Sequence, residues 1–415
     1  MQKTARWLSL PLGLALVLSA CHNPAPPRVS PVRATPRAAF RADKLAEMDA
    51  AIREAIAAKK LPGGVLWLER EGTVYHQAYG QRALIPAEEP MTEDTIFDAA
   101  SLTKVIATTP AILLLIERGQ IKVDAPVQTY IPEFTGDNRE TVTLRHLLTH
   151  TSGLRPGLGS TPEWTGAQKA IQLASVEKLR SPPGANFVYS DINFILLGEV
   201  VRRVSGKPLN EFVAQEIYRP LKMHNTGFLP PATRLARIAP TTTNEGEGVL
   251  RGRVHDPTSR RMGGVAGHAG LFFTAADLAR FARMMLNGGT LDGVRIFKPE
   301  TVRLMTSVQS SAGTPARRGL GWDIDSVYSG PRGQRFPLGS YGHTGWTGAS
   351  LWIDPFSKTF LIFLSNRNHP TEAGSVLALR ARLGTLAAEA VVGFDFENVP
   401  GALPAASPAK PRPPN

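Results

Sequence analysis

Cysteine is all but missing: the 415 residues hold one, Cys21. With a single thiol no internal disulfide forms and no cysteine cluster holds zinc, so the fold must rest on a packed core. Acidic residues are absent from both ends of the chain. Residues 1–41 carry Lys3, Arg6, Arg28, Arg33, Arg37 and Arg41 without one Asp or Glu, and the tail after Pro400 adds Lys410 and Arg412. These basic residues account for most of the formal net charge of +12, so the rest of the chain has no basic excess of the kind that marks a nucleic-acid partner. The apolar run near the start, Trp7–Ala20, is also short: its 14 residues cannot span a bilayer as a stable helix. What remains, 42% hydrophobic and 20% charged, is an ordinary globular composition for one large domain or two modest ones.

Lys3 and Arg6 before that apolar run make residues 1–20 read as a signal peptide. The run ends in Leu18-Ser19-Ala20-Cys21, which resembles the lipobox of bacterial lipoproteins. The resemblance implies cleavage before Cys21 and its acylation, a lipid anchor rather than a membrane span. The expected location is therefore exported and membrane-anchored. His22 is not the aspartate associated with inner-membrane retention, which points to the periplasmic face of an outer membrane if the organism has one. Residues 21–41 are rich in proline and alanine and read as a tether, and 399–415 read as a disordered tail.

Between them, residues 42–398 carry the folding patterns. Leu45, Met48, Ile52 and Ile56 share one face of a helix. GGVLWLER and TVYHQAYG are β-rich runs joined by Glu71-Gly72, a hairpin signal. From Ser101 to about Gly289 the texture is helix and loop; strands return late as SYGHTG, GASLWIDP and KTFLIFLSN, followed by a helix from about Thr371 to Val392. Strands at both ends with helices between predict one sheet built from distant segments (42–100 and 290–398), a helical lobe (101–289) and a cleft between them.

Ser101 and Lys104 lie three apart where a loop enters a helix, so they share a face one turn from each other. A serine hydroxyl needs a base within reach, and lysine can serve if burial and nearby positive charge lower its pKa. Ser-x-x-Lys alone is common. Two further signals follow it: Tyr189-Ser190-Asp191, on a loop before an amphipathic helix, and His343-Thr344-Gly345-Trp346 on a late strand. Glycine at 345 is expected to let a substrate backbone lie close to the strand.

In this order and spacing the chain resembles the serine β-lactamase/penicillin-binding superfamily, particularly its class C-like branch. HLLTHTSGL, VHDPTSRRMGGVAGHAGLFFTA and HTGWTGASLWIDP add to the likeness. The resemblance implies an α+β fold of the β-lactamase/transpeptidase type, an antiparallel sheet flanked by helices plus a mostly helical lobe. It implies Ser101 as the acylated nucleophile, Lys104 as its proton acceptor and Tyr189 as a proton relay to the leaving group. The backbone N–H groups of Ser101 and Trp346 would form the oxyanion hole, and Asp191, His343, Thr344 and Gly345 would meet the substrate. No cofactor and no metal are implied.

Two residues depart from the pattern. Asp191 stands where classical members have asparagine; an ionised carboxylate only accepts, so it would pair with Lys104 or favour a cationic substrate group. His343 stands where many β-lactamases have lysine and is largely neutral at pH 7. Both weigh toward a peptidase, amidase or esterase over a β-lactamase. The expected partners are a small-molecule or peptidoglycan-derived substrate, and a membrane through the lipid anchor only; oligomeric state stays open. A non-catalytic penicillin-binding or wall-fragment sensor is the rival from another class. His146 and His150, at i and i+4, could face one metal but lack the Glu of H-E-x-x-H. His255, Asp256 and His268 either line the cleft or hold loops, Trp322 and Trp352 read as core, and Gly263, Gly264 and Gly267 lack the strand a dinucleotide loop needs.

Overall fold

The computed structural model describes Gln2 and residues 39–242 and 248–405. The leader, Cys21, nearly all of the tether and the end of the tail lie outside the described residues. The helix α1 spans Ala42–Ala57 and buries Leu45, Met48, Ala51 and Ile52. The hairpin follows as β1 (Gly63–Arg70) and β2 (Thr73–Ala83). Both turn residues are left-handed, Glu71 at φ 48° and Gly72 at φ 83°, as the twist of a two-residue hairpin requires. A short β3 (Glu89–Pro90) edges the sheet.

The late segments supply the other strands: β4 (Arg317–Arg318), β5 (Asp323–Asp325), β6 (Tyr341–Thr344), β7 (Ser350–Asp354) and β8 (Thr359–Ser365). They form one antiparallel sheet in the order β4-β5-β6-β7-β8-β1-β2-β3, in which β8 joins β1 with Leu66 opposite Phe363. Alternation sorts its side chains. Leu66, Leu68, Leu361 and Phe363 pack under α1 and the C-terminal helix α5 (Leu377–Ala390), while Val65, Phe360, Ile362 and Leu364 join the core of the other lobe. Both faces are covered, so β8 is buried along its length. The segments entering α1 and leaving α5 also meet: Arg41 N–H donates to Ala390 O at 2.7 Å.

In the other lobe, α2 (Thr109–Glu117) is almost wholly buried, α3 (Asp191–Ser205) is buried from Ile192 to Leu197 and again at Glu199–Val201, and α4 (Ala275–Leu286) caps its N-terminus through the Thr274 side chain. α4 packs against β1 and β8, which the division into lobes at residue 289 did not anticipate. The run from Ala100 to Glu117 is apolar enough by length and composition to cross a membrane, yet 83% of it is buried in the fold. It is not one α-helix: a 3-10 turn (Ala100–Leu102) and a π-turn (Lys104–Thr108) precede α2, an irregularity frequent at functional sites.

Candidate active site

The nucleophile segment is built around a buried carboxylate. Phe97–Asp98 pairs with Leu271–Phe273 in a small sheet, and Ala99 N–H donates to Leu271 O. The chain then turns sharply, with Ala100 at φ 45°, a conformation costly for any residue with a Cβ. Asp98 holds it there. Its Oδ1 accepts from Ala100 N–H at 2.8 Å and its Oδ2 from His255 N–H at 2.7 Å. Burial pushes the Asp98 carboxyl up from its ordinary value.

Ser101 follows as the middle residue of the 3-10 turn. Lys104, with 0% exposure, donates from Nζ to Ser101 Oγ at 3.0 Å and to His268 O at 3.2 Å, and pairs with Asp191 Oδ1 at 2.7 Å. The expected depression of the lysine pKa is not what the structure gives. Burial does pull it down, but Asp191 and Tyr189 outweigh burial and push Lys104 up to about 12. Lys104 therefore rests as an ammonium.

Tyr189 and Asp191 are placed by the N-terminus of α3. Ser190 N–H donates to His150 Nδ1 at 3.0 Å, and the His150 ring stacks on Tyr189 with centroids 4.3 Å apart. Lys104 Nζ lies 4.9 Å from the Tyr189 ring centroid. His146 serves elsewhere, accepting from Thr143 N–H in a helix cap. The two histidines of HLLTH thus have separate tasks and do not converge on one ion.

His343 is buried beside these rings, its centroid 6.1 Å from that of Tyr189. Burial, then Arg318 and Lys104, hold it well below its ordinary pKa, so it is neutral. Its Nδ1 lies 2.8 Å from Thr344 O; a carbonyl only accepts, so Nδ1 carries the proton and Nε2 is left as an acceptor. A Cβ at Gly345 would sit 2.5 Å from Ala99 O, so the glycine admits the nucleophile segment, and it also lines the chamber beside Ser101. Trp346 is 62% exposed at the rim.

Two chambers meet at Ser101. One, about 370 Å³, is lined by His343, Thr344, Arg318, Tyr328, Leu377 and Arg380. The other, about 480 Å³, is lined by Asp191, His255, Asp256, Arg260, Trp346 and Glu372. His255 and Asp256 therefore face the cleft. Asp191, Asp256 and His268 bring one donor atom each within 4.8 Å, but the protein already engages them: Asp191 holds Lys104, and His268 Nε2 donates to Asp256 Oδ1 at 2.9 Å. Despite burial, His268 keeps the Asp256 carboxyl well below its usual range. Trp322 and Trp352 are core. Sequence reasoning missed Asp98, the role of His150, and the cleft residues Arg318, Arg380 and Glu372. Asp98, three residues before Ser101, is the one whose position was a usable signal.

The β-lactamase family model matches residues 48–386. A relative from Escherichia coli (strain K12), named "Putative D-alanyl-D-alanine carboxypeptidase", is 33% identical over 408 residues, covering 89% of this chain and 92% of its own. One from Bacillus subtilis (strain 168), named "N-acetylmuramyl-L-alanine amidase", is 32% identical over 372 residues, 80% of this chain and 83% of its own. Among solved structures, a penicillin-binding protein homologue from Caulobacter crescentus superposes with a TM-score of 0.68 at 22% identity, over 84% of this chain and 98% of that one, which supports the fold. With the family model matching most of the chain and Ser-x-x-Lys at the meeting of two chambers, this chain belongs to the β-lactamase family of serine hydrolases.

Proposed function

We propose that the chain is an exported, lipid-anchored hydrolase that opens amide bonds of cell-wall peptides or muropeptides through an acyl-enzyme on Ser101. The observation that carries this is the 3.0 Å contact of Lys104 Nζ with Ser101 Oγ where the two chambers meet. The names of the two relatives, a carboxypeptidase and an amidase, support the substrate class. Leu18-Ser19-Ala20-Cys21 supports the anchor. A neutral His343 and an Asp191 committed to Lys104 favour these substrates over β-lactams.

Because Lys104 rests protonated, the proton traffic is an exchange. Lys104 passes a proton through the Tyr189 phenol to the leaving nitrogen and takes the Ser101 proton in its place. The bond from Ser101 Oγ to the carbonyl carbon forms, the bond to the leaving amine breaks, and Lys104 ends as it began. Water then releases the acyl group by the reverse path. Purified muropeptides incubated with the enzyme and analysed by mass spectrometry test the reading. Free D-alanine marks carboxypeptidase action, and separated sugar and peptide mark an amidase. Ser101→Ala should lower the rate by on the order of a thousandfold or more while leaving the fold intact; unchanged hydrolysis in that variant would sink the mechanism.

A further inference from the structure

The turn after β6 is held at its carbonyls. Arg380 donates from Nη2 to Gly345 O at 2.8 Å and to Ala349 O at 2.6 Å. Arg367 donates from Nε to Trp346 O at 2.6 Å and from its backbone N–H to Thr347 O at 2.9 Å. Thr347 Oγ1 donates to Asp98 O at 2.8 Å, which ties the turn to the nucleophile segment. Gly345 O and Trp346 N–H belong to one peptide plane, and in a trans peptide they point in opposite directions. By gripping the oxygen, Arg380 aims the N–H. Among the described residues no acceptor takes that N–H.

The charge of Arg380 is the second observation. It is 5% exposed, lines the chamber beside Ser101, and pairs with no carboxylate among the described residues; its Nε has no acceptor. The charged group acting on it is Arg367, of the same sign. Among the described residues Arg367 in turn donates to carbonyls, and Glu372, the acid acting on it, reaches His255 Nε2 at 2.9 Å. A buried cation without a counter-charge is costly. That arrangement suits a site where negative charge develops during reaction and is met by fixed positive charge.

We propose that Arg380, assisted by Arg367, is a positioning residue for acyl transfer: it aims the Trp346 N–H at the developing oxyanion and leaves positive charge behind the turn that the oxyanion neutralises. This rests on Ser101 being the nucleophile. When Ser101 Oγ bonds to the carbonyl carbon, the carbonyl π pair moves onto oxygen, and Lys104 takes the serine proton while passing one of its own through Tyr189 toward the leaving group. When the tetrahedral species collapses, that pair returns and the bond to the leaving group breaks. Arg380 touches no reacting atom in either step.

The test uses the full chain in detergent, p-nitrophenyl acetate as a neutral substrate and phenylboronic acid as a probe that becomes a tetrahedral anion on Ser101. Arg380→Met should lower kcat about 10- to 100-fold with KM within about twofold, and weaken phenylboronic acid in parallel. Arg380→Lys, which keeps the charge, should recover part of both losses. Arg367→Met should show the same pattern to a smaller degree, and it carries the test if Arg380→Met fails to fold. A kcat that does not change, or a lysine variant no better than methionine, overturns the proposal. So does selective loss of affinity for carboxylate-bearing substrates with phenylboronic acid unaffected, which would make Arg380 a substrate-anion site. If Ser101→Ala still hydrolyses the ester, the parent reading fails. If that variant is inactive while Arg380→Met is normal, only this inference fails.

Discussion

Lys104 owes its charge state to two neighbours, Asp191 and then Tyr189, and the first gives the clearest test at the scale of single residues. Asp191→Asn removes the carboxylate 2.7 Å from Nζ and leaves Tyr189 alone to oppose burial. The proton on Lys104 should then be lost at lower pH, and the alkaline limb of kcat/KM should move down by about one unit or more, each unit being ~1.4 kcal/mol. An unmoved limb would mean that Asp191 does not set the lysine. His343, held neutral by burial, should contribute no limb near pH 6.5; a limb there that vanishes in His343→Gln would contradict the assignment. Spacing along the chain put Ser101 and Lys104 on one face, while Tyr189 and the roles of all three came from the family resemblance of the ordered motifs. The protonation of Lys104 was not legible: pairing with Asp191 was one of two readings of that carboxylate, and its effect depends on the burial and the 2.7 Å approach that the fold supplies.

Among elements, β6 and the nucleophile turn are packed to the limit of backbone approach. Gly345→Ala would put a Cβ 2.5 Å from Ala99 O, so one segment must move. We expect a loss of roughly 1–3 kcal/mol of stability by denaturant titration, together with a fall in kcat. Wild-type stability and kcat in this variant would show the contact to be relaxed. The hairpin β1–β2 was legible from Glu71-Gly72 and alternating apolar residues, as were α1 and the cores of β7 and β8. The break of Ala100–Glu117 into three helical types was not. Its residues suit a continuous apolar helix, and the distortion comes from Asp98 gripping Ala100 and Lys104 reaching His268 O.

For the molecule as a whole, α1 and α5 lie together on one face of the sheet although they come from opposite ends of the chain. Removing residues 377–398 takes away Leu383, Leu386 and Arg380, and should leave a chain without cooperative unfolding by circular dichroism. A cooperative transition in that chain would show α5 to be dispensable. The anchor is tested separately: Cys21→Ser should move the protein from membrane to soluble fractions, and retention on the membrane would refute lipidation. One sheet built from distant segments could be read from the texture of the chain. Its strand order and the packing of α4 against β1 and β8 could not, because pairing partners far apart in sequence leave no local pattern.

The most direct measurement of the central claim is intact-mass spectrometry after rapid mixing with p-nitrophenyl acetate, followed by peptide mapping. A transient single acetyl adduct is expected on the peptide carrying Ser101, absent in Ser101→Ala and slower to form in Lys104→Ala. An adduct on another residue, or steady ester turnover by Ser101→Ala, would contradict it.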